Sequence, residues 1–101
     1  MHATMLWRPP TDIYETSDEI IVVIELAGVR EEDMTVTLFS DLLVVDGRRE
    51  PTVTDMSACH QLGIKYGDFR SEVSLHASVE HDTVNAEYKH GLLKIVLQKL
   101  R

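Results

Sequence analysis

Apolar and polar residues alternate along most of the chain, and the alternation has the period of strands rather than helices. Glu19 to Leu26 reads EIIVVIEL, with Ile20, Val22, Ile24 and Leu26 on one face. Ile21 and Val23 on the other face predict a strand covered on both sides. Ala27-Gly28 ends it, and Glu31-Glu32-Asp33 reads as a solvated acidic turn. From Met34 to Phe39, Met34, Val36 and Leu38 point inward while Thr35 and Thr37 point out. Ser40-Asp41 turns the chain at hairpin spacing into Leu42–Arg48, with Leu43 and Val45 inward. Pro51 to His60 is irregular and polar, a long loop with room for a short strand near Thr52-Val53-Thr54. Ile64 to Tyr66 looks extended, and after Gly67-Asp68 the residues Phe69, Ser71, Val73 and Leu75 alternate with polar ones. His76 to Asp82 is a turn, Val84, Ala86 and Tyr88 share a face, and His90-Gly91 breaks that strand. Leu92 to Gln98 closes the chain's pattern with Leu93, Ile95 and Leu97 inward. No segment carries a helical apolar stripe of useful length. The pattern predicts an all-β fold, an immunoglobulin-like antiparallel β-sandwich of about seven or eight strands.

Composition narrows what such a sandwich can do. The chain has 101 residues, enough for one domain, and 44% hydrophobic content, enough for a modest core. The formal charge of -7 argues against nucleic acid, which needs a groove of Lys and Arg. The densest basic spot is Gly47-Arg48-Arg49. The longest apolar run, Ile20 to Ile24, is strand-sized, so no membrane span is expected. The single Cys59 cannot form an internal disulfide, and no signal-peptide layout is present, so a cytoplasmic location is expected. A generic extracellular immunoglobulin-like module is disfavoured on the same two grounds.

Candidate chemistry is sparse. The histidines at 2, 60, 76, 81 and 90 are scattered, and His76 and His81, with Glu80 and Asp82 nearby, lack tight ligand spacing. Cys59 and His60, if on a strand, would point to opposite faces and pair poorly for catalysis. No phosphate-cradling glycine run or nucleophile elbow occurs, and Gly28, Gly47, Gly63, Gly67 and Gly91 are all expected at turns or strand ends. The expectation is no enzyme activity, no cofactor and no metal. Trp7, in Trp7-Arg8-Pro9-Pro10, either folds back on the domain or meets another chain.

Four stretches, in order, carry a resemblance. They are Trp7 to Thr16 (WRPPTDIYET), Glu25-Leu26-Ala27-Gly28-Val29 with Glu31-Glu32-Asp33, Leu43 to Arg49 (LVVDGRR), and Ala86 to Leu93 (AEYKHGLL). Together they resemble the α-crystallin domain of small heat-shock proteins, of the bacterial and plant type with a long dimerisation loop. The last stretch resembles that family's A-x-x-x-N-G-V-L signature. Mechanically, Gly91 permits a positive-φ turn, Leu93 enters the core, and small Ala86 lets the sheets approach.

The resemblance implies an ATP-independent holdase, which binds unfolding client proteins and prevents their aggregation. It implies a short arm at residues 1–11, the domain at 12–101, and a dimerisation loop at about 48–62. It implies an apolar groove lined by Met34, Val36, Leu38, Val84 and Ala86, which in the family receives an I-x-I tail. It also implies a homodimer, or a higher oligomer, in which Thr52, Val53 and Thr54 meet Asp12, Ile13, Tyr14 and Glu15 of a second copy. The chain departs from the family pattern at Ala27, His76 and Gln98, where prolines are usual, and at Ser71, where an arginine is common and Arg70 stands one position early. No I-x-I tail follows Leu100-Arg101, and Ile95-Val96-Leu97 is committed to a strand, so a dimer is expected over a large shell. The other function class is a co-chaperone adaptor of the CS-domain type, a monomer that binds specific partners.

Overall fold

The computed structural model describes residues 6–100. It contains β1 (Thr11–Glu15), β2 (Glu19–Glu25), β3 (Met34–Phe39), β4 (Leu42–Arg49), β5 (Gly67–Ser74), β6 (Asn85–Lys89) and β7 (Leu92–Gln98). Two 3-10 turns, Glu31–Asp33 and His81–Thr83, lead into β3 and toward β6. One sheet has the order β1-β2-β7-β6 and the other β3-β4-β5, and every strand pair is antiparallel.

The inward residues are those the alternation selects. From the four-stranded sheet, Ile20, Val22, Ile24, Leu93, Ile95 and Leu97 are buried; from the three-stranded sheet, Leu43, Val45, Phe69 and Val73 are buried against them. Each such side chain contributes about 1.5–3 kcal/mol when fully removed from water. Ser71 is the polar member of this face, and its hydroxyl meets that of Thr11 at 3.0 Å. That bond ties β1 to β5 along one long side of the sandwich, which leaves β3 and β6 as the free edges of the other.

The hairpin turns show local sequence at work. His90 (φ 56) and Gly91 (φ 77) both take positive φ between β6 and β7, the signature of a two-residue type I′ turn, whose twist matches the strands it joins. A Cβ on Gly91 would also stand 2.9 Å from that of Ala27.

Several expectations are corrected. Gly47 lies inside β4 rather than at a turn: a Cβ there would overlap the Asp33 carbonyl oxygen and stand 2.8 Å from Phe69 Cζ. The glycine is needed because the turn before β3 passes directly over β4. Ile21 and Val23 are only half-buried, and with Tyr14 and Leu92 they line an open cavity on the outer face, so β2 is packed on one side only. Ala86 is exposed on an edge strand and does not set the approach of the sheets. Neither Thr52–Thr54 nor Ile64–Tyr66 is a strand; residues 50–66 form one continuous loop without strand pairing. Thr, Val and Tyr favour strands only when a neighbouring edge accepts them. β4, beside them in sequence, is already paired on both sides.

Candidate functional site

β3 and β6 lie along the open side of the sandwich, each paired on one side only among the described strands. On β3, Met34, Val36 and Leu38 lie opposite Gly47, Val45 and Leu43, so they share the core-facing side yet stay half-exposed at the edge. Ala86 lies opposite buried Ile95 and is therefore also on the core-facing side, though uncovered. Val84, one residue ahead of β6, is half-buried against the core. The fold thus brings Met34, Val36, Leu38, Val84 and Ala86 to the same open side.

Hydrogen bonds link the elements at both ends of this open side. At one end His81, through Nε2, hydrogen-bonds the Ser40 carbonyl at 2.9 Å, joining the turn before β6 to the β3–β4 hairpin. At the other, the Tyr88 hydroxyl lies 2.7 Å from the Leu26 carbonyl oxygen and 2.8 Å from that of Val29, sharing its proton between them. Burial, chiefly, pushes the Tyr88 phenol above its ordinary pKa, which keeps it a donor. Leu38 and Val84 therefore sit toward the His81 end, Met34 and Ala86 toward the Tyr88 end. The alternation placed Tyr88 on this face, but no sequence signal revealed its role as a tie, because its acceptors are backbone carbonyls far along the chain.

The second expected site is divided. Asp12, Ile13, Tyr14 and Glu15 form β1, an edge strand paired with β2 alone among the described strands. Ile13 and Tyr14 are exposed. The Tyr14 hydroxyl donates to the Asp12 carboxylate at 3.1 Å, and that bond and charge raise the Tyr14 pKa. Glu15 pairs with Lys99, which lowers the Glu15 pKa by hydrogen bonding and by charge; Lys99 also donates to the Thr16 carbonyl at 2.8 Å. Thr52, Val53 and Thr54 are exposed in the loop, away from any strand. The two halves of this site are therefore separate within one chain. At the departure from the family's arginine, Arg70 points outward to Glu72 (2.7 Å) and Asp46 (3.6 Å), while Ser71 points into the core.

Sequence reading missed the root of the loop. Arg49, 9% exposed, donates Nε and Nη2 to the Lys65 carbonyl (2.9 and 2.6 Å) and Nη1 to that of Ala27 (3.1 Å). Its guanidinium carbon lies 4.4 Å from the Trp7 ring centroid and 5.7 Å from that of Tyr66. Trp7 folds back on the domain: it bridges β5 in parallel at Phe69, with Trp7 N donating to Asp68 O at 3.2 Å and Arg70 N donating to Trp7 O at 3.1 Å. The Trp7 indole donates to the Gly67 carbonyl at 3.1 Å. Arg49 thus joins the two ends of the loop, and the Trp7 segment blunts the outer edge of β5.

Two antiparallel sheets, β1-β2-β7-β6 packed on β3-β4-β5, make a β-sandwich of the immunoglobulin-like class. Heat shock protein 16.0 from Schizosaccharomyces pombe has the same fold, with a TM-score of 0.84 at 26% sequence identity, covering 94% of this chain and 89% of that one. The model of the Hsp20/alpha crystallin family matches residues 12–101, and the chain belongs to that family of small heat-shock chaperones. Small heat shock protein C2 of Rickettsia felis is 28% identical over 92 residues, 90% of this chain and 60% of that protein. Small heat shock protein C4 of the same organism is 30% identical over 92 residues, 90% of this chain and 56% of that one. The chain thus spans less than two thirds of the length of these relatives. Among the described residues no helix is long and apolar enough to cross a membrane.

Proposed function

We propose that this chain is an ATP-independent holdase: it captures apolar segments of unfolding client proteins and keeps them from aggregating. What supports the reading is the row Met34, Val36 and Leu38, half-exposed on edge strand β3, with Ala86 exposed on edge strand β6. These side chains stand beside two unpaired strand edges, so an extended segment finds both apolar surface and backbone partners there. Membership of a small heat-shock family supports it. No finding favours the partner-specific CS-domain adaptor.

In this reading Met34, Val36, Leu38, Val84 and Ala86 receive an apolar tail or client segment. Homodimerisation runs through β1: Asp12, Ile13, Tyr14 and Glu15 of one copy accept Thr52, Val53 and Thr54 of the other, and pairing gives that segment the strand neighbour it lacks within its own chain. The work is binding in the cytoplasm, without catalysis or cofactor. The experiment is light scattering of a heated model client with and without the protein. Suppression at molar excess supports the holdase; unchanged aggregation contradicts it. Mass measured in solution at micromolar concentration tests the dimer, which a strict monomer contradicts.

A further inference from the structure

Leu62 is 82% exposed, the most exposed large apolar side chain among the described residues, and Ile64, two positions on, is 63% exposed. Gly63 between them has nothing within 4 Å of its Cβ position, and the segment has no strand partner in its own chain. Residues two apart share a face once a segment is extended. Extended, this one presents an apolar pair at the spacing of Met34, Val36 and Leu38, the half-exposed row on edge strand β3. Charge matches as well. Residues 56–66 carry no carboxylate, one lysine and one histidine, although the chain holds 17 Asp and Glu. The open side is acidic at both ends. Glu31, Glu32 and Asp33 precede Met34 with Arg30 as the one cation paired to them among the described residues, and Glu80 and Asp82 flank His81 at the other end.

We propose that Leu62-Gly63-Ile64 of one copy docks as an added strand on the open side of a second copy, along Met34, Val36 and Leu38. The proposal rests on the reading of that side as a binding surface for apolar segments, and names an occupant for it. A second copy is required because the segment is pinned far from its own open side. Arg49 donates twice to the carbonyl of Lys65, next to Ile64, and Arg49 itself pairs with Gly67 of β5; β4 stands between β5 and β3. The docking segment is distinct from Thr52, Val53 and Thr54. β1 lies on the long side opposite β3 and β6, so the two contacts engage different copies. A head-to-tail contact of this kind links dimers into larger assemblies. Two apolar side chains make a weak contact, with a dissociation constant on the order of a millimolar. At micromolar concentration the dimers therefore stay apart, and the open side is free for clients.

The test is a titration of the full chain, labelled with nitrogen-15, with a capped peptide of residues 60–66 (HQLGIKY), read by amide chemical shifts. Saturable shifts in β3 and β6 are expected. A peptide carrying Leu62→Ser and Ile64→Ser is expected to produce none. Ala86→Arg in the full chain is expected to weaken peptide binding roughly tenfold or more, because it sets a charge against the apolar pair. Sedimentation near the peptide's dissociation constant is expected to show a larger mass for the wild-type chain than for the chain with Leu62→Ser and Ile64→Ser. Both positions are exposed, and circular dichroism confirms that the variant stays folded. Shifts confined to β1 or to the loop, equal shifts from the serine peptide, or equal masses would each overturn the proposal. Light scattering of a heated client separates its failure from that of the holdase reading. Client protection that Ala86→Arg abolishes, without peptide binding, overturns the docking alone; neither protection nor peptide binding overturns both.

Discussion

The Trp7 ring lies over the guanidinium of Arg49, 4.4 Å from ring centroid to the guanidinium carbon, and Arg49 holds the Lys65 carbonyl with two of its nitrogens. This contact fastens the leading segment and the far end of the loop to β4 at once. Arg49→Ala strips partners from the Lys65 and Ala27 carbonyls and empties the space beneath Trp7. It is expected to cost about 1.5–3 kcal/mol, the range for hydrogen bonds to a charged group. Arg49→Lys is expected to recover little, because an ammonium lacks the planar fork. Urea denaturation followed by Trp7 fluorescence checks both; an unchanged midpoint in Arg49→Ala contradicts the account.

Two glycines give opposite outcomes to one substitution. Gly47→Ala drives a methyl group into the Asp33 carbonyl and toward Phe69. It is expected to destabilise by at least the roughly 1–3 kcal/mol typical of overpacking. Gly63 has open space around its Cβ position and no positive φ, so Gly63→Ala is expected to be neutral or to stabilise by about 0.4–1 kcal/mol through the unfolded chain. Thermal denaturation of the pair checks this; equal losses contradict it.

Tyr88→Phe removes the hydroxyl that holds the Leu26 and Val29 carbonyls while leaving the ring in place. A loss of about 0.5–1.5 kcal/mol is expected, the worth of a neutral hydrogen bond. Hydrogen exchange checks where the loss falls, and faster exchange is expected around Leu26–Val29 and β6. Exchange unchanged there removes Tyr88 as a tie of the groove.

The Glu15–Lys99 pair gives a pH signature. Lys99 lowers the Glu15 pKa below its ordinary 4.5 in the folded state. A carboxyl depressed by folding contributes stability that is fully present above its unfolded pKa and is lost as pH falls through its folded pKa. The stability therefore declines below about pH 4.5, and Glu15→Gln is expected to flatten that part of the curve. Urea titrations between neutral and acid pH check it; identical slopes for both proteins contradict it.

Much of this structure was legible because alternation and burial are the same fact seen twice. Ile20, Val22 and Ile24 were readable as core, as were Phe69, Ser71, Val73 and Leu75, because a period of two fixes the face of every residue in a strand. The hairpin at His90-Gly91 was readable from its turn chemistry. What escaped depended on contacts distant in sequence. Gly47 is required by a carbonyl fourteen positions earlier, at Asp33, and Arg49 by carbonyls at Ala27 and Lys65. Ala86 was assigned to the correct side but read as covered, because periodicity reports the face and not whether the strand is an edge. Thr52–Thr54 has strand-forming composition without a strand, because pairing depends on a neighbour that local sequence does not specify.

The central claim concerns the groove, and Ala86 offers the most direct way to block it. It is exposed on the core-facing side of β6, so Ala86→Arg places a charge in the groove without disturbing the buried core. Light scattering of a heated client is the measurement. The account predicts that the wild-type chain suppresses aggregation at molar excess and that Ala86→Arg, folded and of equal oligomeric mass, loses most of that suppression. Equal suppression by both proteins, or none by the wild type, would contradict it.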